Sequence, residues 1–260
     1  MDLLENSTLF NRNLFFASLT IVSGAIVLAY SLETRNIFAG GALGAVIFAM
    51  YVALKREEKI RQAIRAAVVS LNETIGARDE YTKDHCLRVA ELARLTAHEL
   101  NLGIMELELA EFAGMLHDLG KINFPDTLFT KKKLDETDWN QIRSHPEVGR
   151  QILESMEEFV RLQQVIALHH ERCDGTGYPH GLKKHQIPLA ARILALADSF
   201  DAMTSQRAYR KGFTPEFAVK EILAFRNTAF DPRITDAFLK VVCEKYGVKL
   251  PPVEQRVKKS

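Results

Sequence analysis

The residues best suited to chemistry in this sequence are histidines and aspartates placed beside apolar stretches. Two adjacent histidines end an apolar run and are followed at once by a glycine-rich loop, in ALHHERCDGTGYPHGL at residues 167–182. Two aspartates, Asp118 after AGMLH and Asp198 after ARILALA, follow apolar helical stretches in the same way. Of the eight histidines in the chain, those beside helix ends or apolar helices are His85, His117, His145, His169 and His170.

A metal ion is the partner that such a set of side chains needs. A buried carboxylate costs several kcal/mol unless it is paired or bound to a cation, and no lysine or arginine lies one helical turn before Asp198. Imidazole and carboxylate ligands without cysteine favour iron, manganese or another transition metal over a structural zinc site. Two ions about 3.5–4 Å apart can polarise a phosphoryl group and generate hydroxide. A lone pair such as His117-Asp118 also occurs by chance at helix ends, so the prediction depends on the whole set.

The elements that must position these residues are helices. From residue 80 onward, apolar residues recur with the helical period and strand patterns are few. Prolines stand where several helices should start, and Thr214 before Pro215 is a predicted N-cap. The sequence therefore predicts an all-α fold, a helical bundle in one domain over residues 79–250.

The N-terminus has a different composition. Residues 14–30 and 37–54 contain no charged residue, and each is near the length that crosses about 30 Å of hydrocarbon as a helix. The alternatives are a cleaved signal peptide, against which a second apolar segment argues, or a buried pair of core helices. The pattern predicts a short cytoplasmic segment, residues 1–13, followed by a two-helix transmembrane hairpin over residues 14–54.

Basic residues predict the orientation of that hairpin. Lys55, Arg56, Lys59 and Arg61 follow the second apolar segment, whereas the connector SLETRN carries one arginine. Because cationic flanks stay in the cytoplasm, we expect a multi-pass protein of the cell inner (cytoplasmic) membrane with its large domain in the cytoplasm. A linker helix is predicted over residues 55–78. Its apolar stripe either packs on the domain or joins two chains in a homodimer through residues 56–77.

Overall charge and cysteine content narrow the remaining possibilities. The net charge of +1 gives no indication of a nucleic acid polymer as a partner. Cys86, Cys173 and Cys243 are scattered without a CxxC spacing, which fits a reducing compartment better than a disulfide framework.

Several motifs occur together in a known order. ARDEYTKDHCLRVA, LHDLGKINFPD, SHPEVG, HHERCDGTGYPHGL and ALADSFDAMTSQRAYRKG follow one another along the chain. Over residues 74–245 this series resembles the HD-GYP family of cyclic di-GMP phosphodiesterases, a branch of the HD phosphohydrolase superfamily. A lone HD pair would indicate only the superfamily, and Gly177-Tyr178-Pro179 narrows the resemblance to this branch.

The resemblance implies a specific metal site with two divalent transition-metal ions per chain, iron or manganese. It assigns one ion to His85, His117, Asp118 and Asp198. Asp118 bridges to a second ion held by His145 and His169, with His170 beside it. Some relatives hold a third ion through a glutamate four residues before the first ligand histidine. Tyr81 occupies that position here, so about two ions are expected.

The resemblance also assigns substrate-binding residues. The GYP loop, which is residues 174–181 and includes Gly177, Tyr178 and Pro179, should border the substrate pocket. Lys121 should face the scissile phosphate, where a cation stabilises charge that develops in the transition state. A basic pair, Arg207 and Arg210, should hold the phosphates, because the guanidinium fork suits that contact.

The implied function is hydrolysis of cyclic di-GMP to pGpG, GMP or both by attack of a metal-bridging hydroxide. The main alternative is a catalytically silent signalling module that binds cyclic di-GMP or a partner protein. Silent relatives typically lose metal ligands, whereas every dinuclear ligand position is filled here. An HD hydrolase acting on another nucleotide is the second alternative, against which the GYP loop argues.

Overall fold

The helical prediction is confirmed in a computed structural model of the chain. The model describes residues 22–26, 29–30, 37–78, 80–125, 127–128, 131, 133–206 and 211–249. Within these ranges the structure is helical with no strand, apart from two isolated β-bridges, Asp174 with Lys183 and Arg226 with Phe230. The chain divides into two compact units, Met1–Ala66 and Ala67–Ser260.

The helices are named here in chain order. They are α1 (Ile37–Arg78), α2 (Glu80–Glu99), α3 (Ile104–Leu116), α4 (Glu136–Arg143), α5 (His145–Ile152), α6 (Val160–Ala167), α7 (Leu189–Thr204), α8 (Pro215–Ala224) and α9 (Pro232–Tyr246). Short 3₁₀ helices cover Leu119–Asn123, Glu157–Phe159 and Lys184–Gln186.

The predicted transmembrane hairpin is wrong. Residues 37–54 do not form a separate apolar helix, because α1 continues without a break into the charged residues from Lys55 onward. Crossing a bilayer takes about 20 predominantly apolar residues in one helix. Within the described part of the chain, no helix reaches the length and apolar content that a span requires. The predicted placement in the inner membrane is corrected by the same finding. Most of the other predicted span, residues 14–21 and 27–28, lies outside the described residues.

The apolar stripe of the predicted linker helix divides along α1. Val68 and Ile75 are buried, whereas Ile60 is exposed. Val68 and Ile75 belong to the second unit, and Ile60 belongs to the first. The homodimer through residues 56–77 and the domain limits at residues 54–55 and 78–79 stay predictions.

The core of the second unit forms where α2, α3 and α7 pack on one another, with α9 against α2. Leu92, Leu116, Leu194, Phe200 and Phe238 are completely buried there. Local signals fix several helix starts as predicted: the Thr214 side chain accepts a hydrogen bond from the Phe217 N–H at 3.3 Å, as an N-cap does. His85 is on α2, Asp198 is on α7 and the His117-Asp118 pair directly follows α3. The packing of these three helices therefore determines the distances between the four residues.

Two glycines allow the close approaches that this arrangement needs. A Cβ at Gly114 on α3 would lie 2.3 Å from Ala90 Cα on α2. At Gly120 it would lie within van der Waals overlap of the His145 carbonyl oxygen, at the start of α5. Backbone therefore packs directly on backbone beside two of the candidate metal ligands.

We expect Gly114→Ala to destabilise the second unit. Alanine gains roughly 0.5–1 kcal/mol in a helix interior relative to glycine, but overpacking against rigid backbone costs about 1–3 kcal/mol. Thermal unfolding should therefore show a melting temperature a few degrees lower. Gly103→Ala is the control, since a Cβ there meets nothing within 4 Å and should change the melting temperature less. Equal melting temperatures for wild type and Gly114→Ala would contradict the close-approach argument.

Candidate metal centre and active site

Asp118 lies between two groups of histidines. Its carboxylate Oδ2 is 3.5 Å from His117 Nε2 and 3.9 Å from His85 Nε2. Its other oxygen, Oδ1, is 3.4 Å from His145 Nε2. The residue is only 2% exposed, so both oxygens face side chains rather than solvent. One carboxylate is thus shared by two clusters.

The first cluster is formed by His85, His117 and Asp118, whose possible ligand atoms all lie within 4.8 Å of one another. Asp198 on α7 joins it, with Oδ1 3.1 Å from His85 Nε2 and 3.8 Å from His117 Nε2. The Asp198 side chain keeps 18% of its exposure, so it is less deeply buried than its apolar sequence context indicates. These four side chains come from α2, α7 and the end of α3.

The second cluster is formed by His145, His169 and His170, within the same 4.8 Å limit. His145 Nε2 and His169 Nε2 are 3.4 Å apart. The His170 ring centroid is 4.0 Å from that of His169 and 5.1 Å from that of His145. The start of α5 and the segment after α6 supply these rings. Each of the seven residues predicted to bind metal therefore lies in or beside one of the two clusters.

The backbone determines which ring nitrogen faces the clusters. In three of these histidines, Nδ1 is within hydrogen-bond distance of the backbone carbonyl oxygen three residues earlier in the chain. The pairs are His117 with Gly114 at 2.8 Å, His145 with Ile142 at 2.7 Å and His169 with Ile166 at 2.6 Å. These carbonyls belong to the last turns of α3, α4 and α6, where helices leave carbonyl groups without an intrahelical partner. A carbonyl can only accept, so Nδ1 carries the proton and Nε2 presents a lone pair to the cluster.

These lone pairs fit a cation. Burial lowers the pKa of His145 to about 4 and holds the pKa of His169 well below its usual value, so both rings are neutral with Nε2 facing Nε2. His117 Nε2 is buried and has no hydrogen-bond partner among the described residues. Buried polar atoms are rarely left in this condition. A divalent metal ion would satisfy these nitrogens together, as metal ligands whose other nitrogen donates to a carbonyl.

The charges of the site balance around Asp118. Burial alone would raise the pKa of Asp118, but Lys121 and the neighbouring histidines hold it well below its usual value. Lys121 Nζ lies 2.6 Å from Asp118 Oδ2. Burial alone would lower the pKa of Lys121, but the attraction of the Asp118 carboxylate has the larger effect, so the pKa of Lys121 is raised. The carboxylate is therefore ionised and the lysine protonated.

His85 carries a positive charge in this arrangement. Burial opposes that charge, but hydrogen bonds with Asp198 and Asp201 prevail and raise its pKa to about 9. The carboxyl group of Asp198 has a lowered pKa for the matching reason, because its hydrogen bond with His85 outweighs burial. A metal ion that binds His85 Nε2 must therefore displace a proton, which makes its binding depend on pH.

The GYP loop is closed directly on the paired histidines. A Cβ at Gly177 would lie 2.6 Å from the His170 carbonyl oxygen and 2.4 Å from the Arg172 backbone nitrogen. The Tyr178 N–H donates to the His170 carbonyl oxygen at 3.2 Å. The Tyr178 ring lies 4.7 Å from the His170 ring, centroid to centroid. The loop thus borders the second cluster. Pro179, the residue after Tyr178, is exposed.

Glu171 anchors this loop and was missed in the sequence analysis. It is buried, and its two carboxylate oxygens accept hydrogen bonds from the His180 N–H at 2.7 Å and the Leu182 N–H at 2.9 Å. The available signal was an acidic residue next to two histidines at the end of an apolar run. Its pairing with the far end of the loop could not be derived from that signal.

Asp201 and Arg88 were also missed. Asp201 Oδ2 lies 2.7 Å from His85 Nδ1, and the Arg88 guanidinium donates to both Asp201 oxygens. The available signal was the spacing of Asp201, three residues after Asp198 on one helix face. Arg207 and Arg210 lie outside the described residues, as does the side chain of Tyr81. The roles predicted for these three stay predictions.

Comparison with known families identifies the family of this chain. The family model described as HD domain matches residues 53–234, which is most of the chain. The chain therefore belongs to the HD domain family, and the Gly177-Tyr178-Pro179 loop beside the paired histidines places it in the HD-GYP branch of that family.

Curated relatives share this region at moderate identity. The cyclic di-GMP phosphodiesterase response regulator RpfG of Xanthomonas campestris pv. campestris is 40% identical over 185 residues, covering 70% of this chain and 49% of that protein. The 3'3'-cGAMP-specific phosphodiesterase 2 of Vibrio cholerae is 35% identical over 186 residues, covering 70% of this chain and 35% of that protein. The chain thus spans half or less of the length of these relatives.

A solved structure has the same fold. Bd1817, an HDG"Y"P protein from Bdellovibrio bacteriovorus, aligns with a TM-score of 0.53 at 20% identity, covering 63% of this chain and 53% of that one. At this identity the likeness concerns the fold alone. It agrees with the all-helical packing described above.

We expect Glu171→Ala to loosen the GYP loop. Removing a buried carboxylate that accepts two backbone N–H groups exposes those groups to exchange, at a cost of about 1–3 kcal/mol. Hydrogen–deuterium exchange should be faster at residues 180–182 than in the wild type. Glu99→Ala is the control, because that glutamate pairs with Lys240 on the surface. Unchanged exchange at residues 180–182 in Glu171→Ala would contradict the anchoring role.

Proposed function

We propose that this chain is a metal-dependent phosphodiesterase that hydrolyses cyclic di-GMP to pGpG, GMP or both. The observation that carries the proposal is the position of Asp118 between two clusters of metal-binding side chains, with Lys121 beside it and the GYP loop at the edge. The names of the curated relatives support a cyclic dinucleotide as substrate. Cyclic di-GMP is preferred because the 40% identical relative carries that name.

The proposed site holds two divalent ions, iron or manganese. His85, His117, Asp118 and Asp198 would hold one, and His145, His169, His170 and Asp118 the other. When bound, such ions lower the pKa of water and neutralise charge on a phosphoryl group. Ligands of nitrogen and carboxylate oxygen suit these metals.

The protein residues orient the substrate and stabilise charge. Lys121 is held by Asp118 and keeps 31% of its side-chain exposure, so its ammonium reaches both the cluster and the solvent side. There it stabilises negative charge that develops on the phosphoryl oxygens. Tyr178, half-buried on the His170 ring, limits the pocket on the side of the second cluster. Arg207 and Arg210 are proposed to hold the phosphate opposite the scissile one.

A catalytically silent binding module is the rival function. It predicts the loss of at least one metal ligand or of the lysine beside it. Each of the seven proposed ligands is present with its side chain directed to a cluster, and Lys121 is in contact with Asp118. These contacts favour an enzyme.

The proposal is tested by incubating the purified full chain with cyclic di-GMP and, separately, 3'3'-cGAMP, in the presence of Mn²⁺ or anaerobic Fe²⁺. Chromatography of the products should show pGpG or GMP from cyclic di-GMP. Binding of cyclic di-GMP without hydrolysis, by protein that carries its metals, would identify the silent module instead. Hydrolysis of 3'3'-cGAMP alone would replace the proposed substrate.

We expect Lys121→Ala to reduce kcat roughly 10²–10³-fold, the usual cost of losing one contact that stabilises transition-state charge, while the metal content is unchanged. The matched control is Lys240→Ala, which removes an exposed lysine paired with Glu99 and should leave kcat unchanged. Normal turnover by Lys121→Ala would remove the proposed role of this lysine.

We expect about two metal ions per chain by elemental analysis of protein purified without chelator. Asp118→Ala should lose most of this metal and all detectable activity, because a single carboxylate lies between both clusters. Asp236→Ala is the control, since that aspartate on α9 pairs with Arg226 and belongs to neither cluster. A reproducible ratio of three would contradict the two-ion site and assign a metal-binding role to a residue near Tyr81.

A further inference from the structure

A buried carboxylate, Asp201, lies behind the first cluster. It is on α7, three residues after Asp198, and is 2% exposed. Its Oδ2 is 2.7 Å from Nδ1 of His85, the ring nitrogen opposite the one that faces Asp198 and Asp118. Because it is buried behind the ring, Asp201 cannot touch a substrate that enters from solvent. Any effect it has on the site acts through His85.

Asp201 is itself held in place by two other side chains. Arg88 Nε donates to Asp201 Oδ1 at 2.7 Å, and a second guanidinium nitrogen donates to Oδ2 at 3.0 Å. The Ser205 hydroxyl donates to Oδ2 at 2.8 Å and accepts from Arg88 at 2.9 Å. A fork of two parallel N–H···O bonds fixes the plane of a carboxylate as well as its position. Asp201 can therefore fix the orientation of the His85 ring.

His85 differs in this respect from His117, His145 and His169. Each of those three has Nδ1 on a backbone carbonyl oxygen, so its orientation comes with the fold of its helix end. His85 lies inside α2, where backbone carbonyls are engaged by the helix, and a side chain from α7 takes that part. A carboxylate partner also makes the opposite nitrogen a stronger metal ligand, as in carboxylate–histidine–metal arrangements.

We propose that Asp201 is a positioning residue that orients His85 toward the first metal ion, with Arg88 and Ser205 fixing Asp201 in turn. The inference rests on the proposed metal site, because it requires that His85 binds an ion. It does not require that the protein hydrolyses any particular nucleotide. The competing explanation is that the network only joins α2 to α7 and stabilises the fold. The two explanations differ in what metal binding does when Asp201 changes.

The test is Mn²⁺ binding to the full chain, measured from the free-ion signal in electron paramagnetic resonance. In Asp201→Asn the affinity for one of the two ions should fall about 10–100-fold, the usual cost of losing such a partner, while the other is bound as in the wild type. Asp236→Asn is the matched control, because Arg226 makes the same fork with Asp236 on α9. It should leave both affinities unchanged.

Thermal unfolding in the presence of chelator separates the two explanations. If the melting temperatures of Asp201→Asn and Asp236→Asn are similar while only Asp201→Asn loses affinity for one ion, the positioning role holds. If the affinities for both ions fall equally and the melting temperature drops by a large amount, Asp201 has a structural role and the proposal is overturned. Wild-type affinity for both ions in Asp201→Asn would overturn it as well.

A second variant covers the case in which Asp201→Asn does not fold. Arg88→Lys keeps the positive charge but cannot make the two-pronged contact. It should lower the affinity for the same ion by a smaller factor than Asp201→Asn does. Unaltered Mn²⁺ binding in Arg88→Lys would overturn the proposal. Because Mn²⁺ binding is measured without substrate, the result is independent of the proposed phosphodiesterase activity. Lack of hydrolysis with selective loss of one ion would reject that activity and retain the role of Asp201.

Discussion

The structure of the second unit depends on one constraint: ionised carboxylates and imidazoles are gathered in an interior where each must find a partner. Asp118 is nearly inaccessible to solvent and has histidines on both of its oxygens. An uncompensated charge in such a place costs several kcal/mol. Lys121 compensates part of it, and the converging Nε2 atoms define where a cation completes the balance. The rest of the fold supplies the rigid frame that keeps these groups together.

The ends of three helices hold most of the ligand histidines in place. A helix leaves its last carbonyl groups without partners, and His117, His145 and His169 each place Nδ1 on such a carbonyl. One contact thus satisfies the helix end, fixes the tautomer and directs Nε2 into the site. Close backbone approaches at Gly114 and Gly120 bring those ends together. Structural and chemical requirements are met by the same atoms.

The substrate side of the site is built differently. The GYP loop is joined to the segment of the paired histidines by hydrogen bonds to Glu171 and by the close backbone approach at Gly177. In the proposed function, both clusters act on a phosphodiester, which cyclic di-GMP and 3'3'-cGAMP have in common. Discrimination between guanine and adenine requires contacts to the base edges, and these lie beyond the ligand atoms described above. The difference in substrate names among relatives of similar identity is consistent with this separation.

The sequence by itself predicted the helical class, and it predicted the histidines and aspartates that the structure brings together in the two clusters. Helical periodicity and cap residues such as Thr214 are local signals, readable over a few neighbouring residues. Local reading failed at the N-terminus, where the apolar residues 37–54 predicted a membrane span, whereas no helix in the described part of the chain is long and apolar enough to cross a bilayer. Only the tertiary structure decided the tautomers, the contact of Glu171 with the far end of the loop, and the pairing of Asp201 with His85 and Arg88. Asp201 is 116 positions from His85 in the chain. Contacts over such distances arise from the packing of whole helices, and no local pattern specifies them.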